Sequence, residues 1–204
     1  MTLLSMNRKL VGLFKGTGLD PRVIKYDTVS LFSVTSSTVA DKISDDIAEI
    51  MNRTDLRVLD ATACIGGNTI SFAKKFDFVL AVEIDTTRSN FLKENINSTG
   101  IKNVEVLNKD FLDVSCEGYN VLFIDPPWGG VDYKKHQEIE LFLSNIPVTS
   151  LVIERIQSVD LIAVKVPLNY KFDLSVLKSQ KSIKSVIIKT YKKMHIIYIL
   201  SQRF

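Results

Sequence analysis

The chain is predicted to fold as a doubly wound α/β domain: a mostly parallel seven-stranded sheet with helices on both faces, a C-terminal antiparallel hairpin and a short N-terminal helical arm. Three observations lead there. Short apolar runs rich in Val, Ile and Leu alternate with helical patterns from Arg57 to Pro167. Glycines or carboxylates follow several of those runs at the same end. The last two runs, "SVIIKTY" and "HIIYILS", are separated only by "KKM", which is too short for a crossover and must be a hairpin.

The first thirty residues, with "KGTGLDPR" in their middle, read as a short helix and an irregular arm. A helical pattern runs from Val39 to Met51, with Ile43, Ile47 and Ile50 on one face and Ser37 or Thr38 as candidate N-cap. Then come the strand "RVLDA", a helix from Gly67 to Lys75, the strand "FVLAVEI", and a helix from Thr87 to Asn97 closed by Gly100. The strands "VEVLN" and "NVLFID", a helix within Pro147 to Ser158 and the strand "LIAVKVP" complete the alternation. This Rossmann-like layout with a terminal hairpin is similar to that of S-adenosylmethionine methyltransferases. Residues 1–38 are expected to form an arm closing over the site, and residues 39–204 a single domain.

Composition limits the functional classes. With 204 residues, 46% of them hydrophobic, the chain can bury one substantial core. Its longest apolar runs are too short to span a bilayer, and "MTLLSMNRKL" lacks the pattern of a secretory leader. The expectation is an intracellular monomer of the nucleus or cytoplasm with no membrane association. The two cysteines, Cys64 and Cys116, form no CxxC or Cys/His cluster, so neither a disulfide scaffold nor a bound metal is expected. Net charge is only +3, yet from Lys165 to Arg203 nine basic side chains face one acidic, Asp173. From charge alone such a basic segment reads first as a solvated strand face; as a binding surface it suits a small phosphate footprint better than a long nucleic-acid groove.

The strand ends carry the chemistry, because ligands of such sheets lie outside the carboxyl edge. In "LDATACIGGNTI", Asp60 tips the first strand while Gly66 and Gly67 open a helix and let backbone N–H groups approach a ligand. The spacing matches neither a dinucleotide fingerprint nor a P-loop. In "VEID", Glu83 can accept both hydroxyls of a ribose, and Asp85 suits a helix cap. In "KDF", Asp110 offers a carboxylate to an exocyclic amine of adenine, and Phe111 a ring for its face. Together these three ends fit one adenosine ligand laid across the sheet.

"DPPW" ends the fourth strand. An exocyclic purine amine is a poor nucleophile, since its lone pair is delocalised into the ring, and a methyl-transferring site must align it with acceptors. The Asp125 carboxylate and the Pro126 carbonyl are such acceptors, stiffened by the two prolines, and Trp128 offers a stacking face. His136 and His195 read as a loop and a strand residue rather than a general base, because the methylated amine can lose its proton to solvent.

The run from Leu31 to Tyr133 resembles the trimethylguanosine synthase family of RNA cap guanine-N2 methyltransferases. "LFSVTSSTVADKI" is similar to that family's FSVTPE arm and helix, "DATACIGGNTISFA" to DAFCGVGGNTIQFA, "VEID" to IDID, "KDFL" to GDFL and "PPWGGVDY" to PPWGGPDY. The resemblance implies S-adenosylmethionine as donor and N2 of a 7-methylguanosine cap, with its triphosphate bridge to RNA, as acceptor. By this resemblance Asp60, Gly66, Asn68 and Thr69 hold the methionine part of the cofactor, Glu83 the ribose and Asp110 the adenine. Phe32, Ser33 and Thr35 close over the site, and Trp128 stacks on the methylated guanine, with Tyr133, Asn169 and Lys165 also toward the substrate.

Some positions depart from that pattern. The family commonly has Ser at Asp125, an aromatic at Leu31, Pro at Ser36 and at Val131, and, within LPRN, a phosphate-binding Arg at Leu168. Lys165, Lys171, Arg22 and Lys25 are candidate replacements for that Arg. Asp125 is more like the DPPY enzymes, which keeps open a guanine-N2 or adenine-N6 methyltransferase of internal tRNA or rRNA. A catalytically silent methyltransferase-like subunit binding RNA or a partner is the third reading. Lysine makes up 19 of the 26 basic residues, and Ile, Asn and Ser are abundant, which suits an AT-rich genome such as that of a protist or a large DNA virus.

Overall fold

The computed structural model describes residues 8–130, 132–171 and 173–204; the stretch 1–7 and Val131, where the resemblance puts a Pro, lie outside the described residues. Seven strands form one sheet: β1 (Arg57–Asp60), β2 (Phe78–Val82), β3 (Val104–Leu107), β4 (Val121–Ile124), β7 (Leu161–Pro167), β8 (Ile183–Tyr191) and β9 (Met194–Ser201). Their order is β3-β2-β1-β4-β7-β9-β8. All neighbours are parallel except β9, which runs antiparallel to both β7 and β8. The reversal of order between β2-β1 and β4 places the topological switch point at the end of β1, where such sheets bind ligands.

Alternation explains both covered faces. Leu59, Leu122, Ile124 and Ile162 point into a core shared with Leu151 and Val152 of α6 (Val148–Arg155). Their neighbours Val58, Val121, Phe123 and Leu161 point the other way, against Ile43, Ile47 and Met51 of α3 (Ser37–Met51) and Phe72 of α4 (Gly67–Lys75). A third cluster joins the arm to the sheet: Leu10 of α1 (Arg8–Leu13), Phe14, Leu19, Ile24 and Val34 pack on Ile65, Ile70 and, from α5 (Thr86–Thr99), Leu92 and Ile96.

Boundaries differ from the sequence reading in instructive ways. Helix α3 starts at Ser37 with Ser36 as N-cap, and that cap makes no side-chain bond, so neither Ser37 nor Thr38 caps it. The expected irregular arm contains α2 (Thr28–Ser33), fixed by a capping box in which Asp27 and Ser30 bond each other's backbone N–H. A two-residue-strand hairpin, β5 (Phe142–Leu143) with β6 (Ile146–Pro147), was not foreseen. Its turn uses Ser144 and Asn145, both in the left-handed region, without the Gly that signals such turns. Helix α7 (Leu174–Lys178) is short and capped by Asp173. Among the described residues no helix is long and apolar enough to cross a membrane.

Candidate active site

Sheet register alone gathers the polar strand ends. Asp60 sits opposite Phe123 of β4 and Ala81 of β2, and Ile124 sits opposite Val164 of β7. Asp60 at the tip of β1, Glu83 and Asp125 just beyond β2 and β4, and Lys165 within β7, one register step past Val164 and so beside Asp125, therefore share one carboxyl edge, with Asp110 following β3.

On one side of the switch point four carboxylates are held in place. Asp60 is fully buried; Thr69 Oγ1 donates to its Oδ2 at 2.7 Å and the Thr62 N–H reaches its Oδ1 at 3.4 Å. Burial pushes its pKa up to about 7, against the lowering effect of those bonds and with help from the nearby charges of Asp125 and Glu83. Glu83, also buried, accepts from the N–H groups of Cys64 at 2.9 Å and Asp85 at 3.0 Å, and from Arg88 Nε at 3.4 Å. Cys64 takes φ of 51° to turn its N–H that way. Asp85 caps α5, accepting from the Arg88 N–H. Asp110 caps a 3-10 turn at Phe111–Asp113, and its Oδ2 accepts from Ser144 of the small hairpin at 2.6 Å.

The arm enters the site at Thr35. Asn68 Nδ2 donates to Thr35 Oγ1 at 3.0 Å, and Thr35 Oγ1 donates to Asp125 Oδ2 at 3.5 Å. Asn68 Oδ1 is buried with no partner among the described residues. Gly66 caps α4 at φ of 104°. Gly67 is where the arm crosses the helix start: a Cβ there would meet the Thr35 carbonyl and the Val34 side chain at 2.6 Å. Its missing side chain thus admits the chain's own arm, where the sequence reading had it admit a ligand.

On the other side, the Asp125 N–H donates to Thr62 Oγ1 at 2.8 Å, and Lys165 Nζ donates to Asp125 Oδ2 at 2.6 Å. Their side chains are only 13% and 6% exposed. Burial raises the Asp125 pKa and the Lys165 ammonium opposes it. That ammonium also lies 5.1 Å from the centroid of the Trp128 ring. Trp128 meets Tyr133 edge to face at 5.3 Å, and its Nε1 has no partner among the described residues. Trp128 and Tyr133 line an open cleft of about 410 Å³ together with Pro127, Asp132, His136 and Glu140.

Several expected roles change. Phe111 is 2% exposed and packs within the core under α6, so its ring offers no face to a base. Lys165 is tied to Asp125 and cannot serve as a phosphate ligand. Asn169 donates to the Tyr133 and His136 carbonyls at 2.8 and 2.9 Å, which makes its amide nitrogen an anchor of the loop after Trp128. The Ser33 hydroxyl bonds the Val29 carbonyl within its own helix, Phe32 stands exposed, and Thr35 bonds the site side chains Asn68 and Asp125. Arg22 pairs with Asp20, and Lys25 with Glu94. Sequence reasoning missed Thr62 and Ser144, whose partners Asp125 and Asp110 are distant in the chain, and Arg88, which reaches back five residues to Glu83; a hydroxyl two residues after Asp60 was the one available signal for Thr62.

Comparison with known proteins gives this arrangement a family. The chain is 33% identical to an uncharacterized protein of Acanthamoeba polyphaga mimivirus over 58% of its length and 48% of that protein. It is also 33% identical to the trimethylguanosine synthase of Schizosaccharomyces pombe, over 52% of its length and 47% of that protein. The chain thus spans about half the length of these curated relatives. In fold it is similar to a METTL16 methyltransferase domain, with a TM-score of 0.65 at 14% identity, covering 96% of this chain and 94% of that one. Residues 56–203 match the family described as RNA cap guanine-N2 methyltransferase, well over half of the chain, and the chain belongs to that family.

Proposed function

We propose that the protein transfers a methyl group from S-adenosylmethionine to N2 of the 7-methylguanosine cap of RNA, forming a di- or trimethylguanosine cap. The observation that carries this reading is the placement of Asp125 and Trp128, an amine acceptor and an aromatic face over an open cleft, beside Asp60 and Glu83 on one sheet edge.

The residues present suit the cofactor. Asn68 Oδ1 is a buried acceptor without a partner among the described residues, and Asp60 is a buried carboxyl whose pKa is pushed up to about 7; both match the ammonium of a methionine moiety. Glu83 would take the ribose hydroxyls and Asp110 the adenine amine. Bound there, S-adenosylmethionine supplies an electrophilic methyl on a sulfonium.

The chain's own residues prepare the nucleophile. Lys165 and Thr35 both engage Oδ2 of Asp125, which leaves Oδ1 to accept from the guanine amine, with the Pro126 carbonyl as second acceptor. Two acceptors fix the amine plane and so direct the nitrogen lone pair. Trp128 stacks on the base, and a ring made cationic by N7 methylation gains a cation–π attraction from the indole. The proton leaves to solvent through the open cleft.

Mass spectrometry of cap dinucleotides after incubation with labelled S-adenosylmethionine tests the reading: label on N2 supports it, and label elsewhere or none rejects it. An Asp at position 125, where the family commonly has Ser, favours one second reading, a methyltransferase of unmethylated guanine N2 or adenine N6 in tRNA or rRNA; label in internal nucleosides of those RNAs would select it.

A further inference from the structure

The short hairpin of β5 and β6 touches both halves of the site. Its base is fixed: the Val148 N–H donates to the Leu141 carbonyl at 2.9 Å, Leu141 is buried, and Leu143 and Ile146 pack against the core shared with α6. Phe142, 43% exposed, lines the Trp128 cleft. Two residues on, the Ser144 hydroxyl donates to Asp110 Oδ2 at 2.6 Å.

The tip of this hairpin has little to hold it besides that bond. Ser144 and Asn145 take φ of 45° and 68°, successive left-handed positions at which a two-residue loop favours Gly or Asn-Gly. Both are exposed, and each strand is only two residues long, so the ladder adds little stability of its own. A hydroxyl that donates to a carboxylate at this distance makes one of the stronger, charge-assisted bonds. The rest of the Asp110 carboxylate is set by its own turn, since Oδ1 accepts from the Leu112 N–H at 3.0 Å. Each carboxylate oxygen can accept twice, so Oδ2 keeps a place for a further donor beside Ser144.

We propose that Ser144 is a positioning residue that couples the cofactor side of the site to the acceptor side. Its hydroxyl docks the hairpin tip on Asp110, the docked tip sets Phe142 as a wall of the Trp128 cleft, and cofactor binding at Asp110 favours that docked state. The proposal rests on the reading above, which gives Asp110 the adenine amine and Trp128 the acceptor base. A carboxylate already oriented by Ser144 receives the amine without rearranging, so the cofactor binds the docked state more tightly than an undocked one, and such a preference shifts the population toward docking. The acceptor then meets a cleft whose Phe142 wall is in place.

Trp128 is the one tryptophan of the chain, so its emission reads this cleft without acceptor or methyl transfer. S-adenosylhomocysteine is titrated into wild type, Ser144→Ala and Ser144→Gly, with calorimetry giving occupancy and melting curves the fold. Glycine lacks the hydroxyl but takes the left-handed backbone at no steric cost, which separates loss of the bond from damage to the turn. At saturation the emission change should fall by at least about half in both variants, and on capped RNA Ser144→Gly should raise KM roughly fivefold with kcat near wild type, the low end for coupled sites. A wild type whose emission ignores saturating S-adenosylhomocysteine, or a folded Ser144→Gly with the wild-type response, overturns the proposal. Absence of S-adenosylhomocysteine binding to the wild type removes the cofactor reading and the proposal with it. A coupling that is present in the wild type and lost in Ser144→Gly, in a protein that makes no N2-methylated cap, upholds the proposal and refutes the function; N2-methylated cap with an unchanged response in Ser144→Gly does the reverse.

Discussion

Lys165 Nζ lies 2.6 Å from Asp125 Oδ2 across adjacent strands, an ion pair almost entirely withdrawn from solvent. Breaking one partner of a buried pair costs far more than replacing both, because a lone buried charge is left behind. The pair also assigns Lys165 a duty that its position in a basic segment concealed: it orients the carboxylate and favours its ionised form.

Lys165→Met is therefore expected to destabilise the fold by about 3–5 kcal/mol, read from urea unfolding. Adding Asp125→Ser should restore most of that loss, since the family works with Ser at this position. If the single and double variants unfold alike, the pair has no energetic coupling. In activity, an Asp125 deprived of its cation has its pKa raised further, and if, as proposed, the ionised form accepts the amine, the acidic limb of kcat should move to higher pH.

Glu83→Gln should weaken S-adenosylhomocysteine binding by about 1.5–3 kcal/mol, the range for hydrogen bonds to a charged group. The amide keeps the volume that fills the turn at Cys64. Calorimetry showing wild-type affinity would remove Glu83 from the cofactor site.

Asp60 supplies a pH signature. Its carboxyl titrates at about 7 in the fold, against roughly 3.9 in an unfolded chain. Between these values the folded protein binds a proton that the unfolded chain has released, so the contribution of this group is full below about pH 4 and is lost as pH rises through 7. Asp60→Asn should accordingly raise the melting temperature of the cofactor-free protein at pH 8 by at least about 2 °C, the shift given by roughly 1 kcal/mol in a domain of this size. The same variant should bind S-adenosylhomocysteine more weakly. A lower melting temperature at pH 8 would mean that the ionised carboxylate is stabilised in the fold.

The proposed cap reading and the internal-RNA reading part at Trp128. A cation–π contribution of about 0.5–2 kcal/mol should give a 7-methylguanosine cap analogue at least roughly tenfold higher kcat/KM than its unmethylated counterpart, since about 1.4 kcal/mol is a factor of ten. Trp128→Ala should remove most of that preference and Trp128→Phe should keep part. Equal rates for both analogues on the wild type, measured side by side, would favour the internal-RNA reading.

The strand ends were legible in sequence because glycines and carboxylates interrupt apolar runs there, and the helix Gly67–Lys75 and the strand Leu161–Pro167 fall where the pattern put them. What the chain conceals is pairing across strands. "LIAVKVP" shows a lysine inside an apolar run, and only the register of β7 with β4 reveals that its partner is Asp125. A fully buried strand gives no alternation from which to read the direction of one polar residue. Phe111 illustrates the same limit: its spacing after Asp110 was right for a ligand, but whether the ring turns outward depends on α6 lying against it.

The crossing at Gly67 bears on how portable the catalytic block is. The family match begins at residue 56, yet the Thr35 carbonyl rests in the space left by Gly67, and Leu10, Phe14, Leu19 and Ile24 cover Ile65, Ile70 and Leu92. A chimera that transplanted the matched segment alone would carry every strand-end carboxylate and still lack the hydroxyl of Thr35 beside Asp125. It would also expose an apolar face beside the loop that presents Glu83 with its backbone partner. Exchange of such enzymes between genomes would thus have to move the arm and the block as one piece, or evolve a new covering for the same glycine.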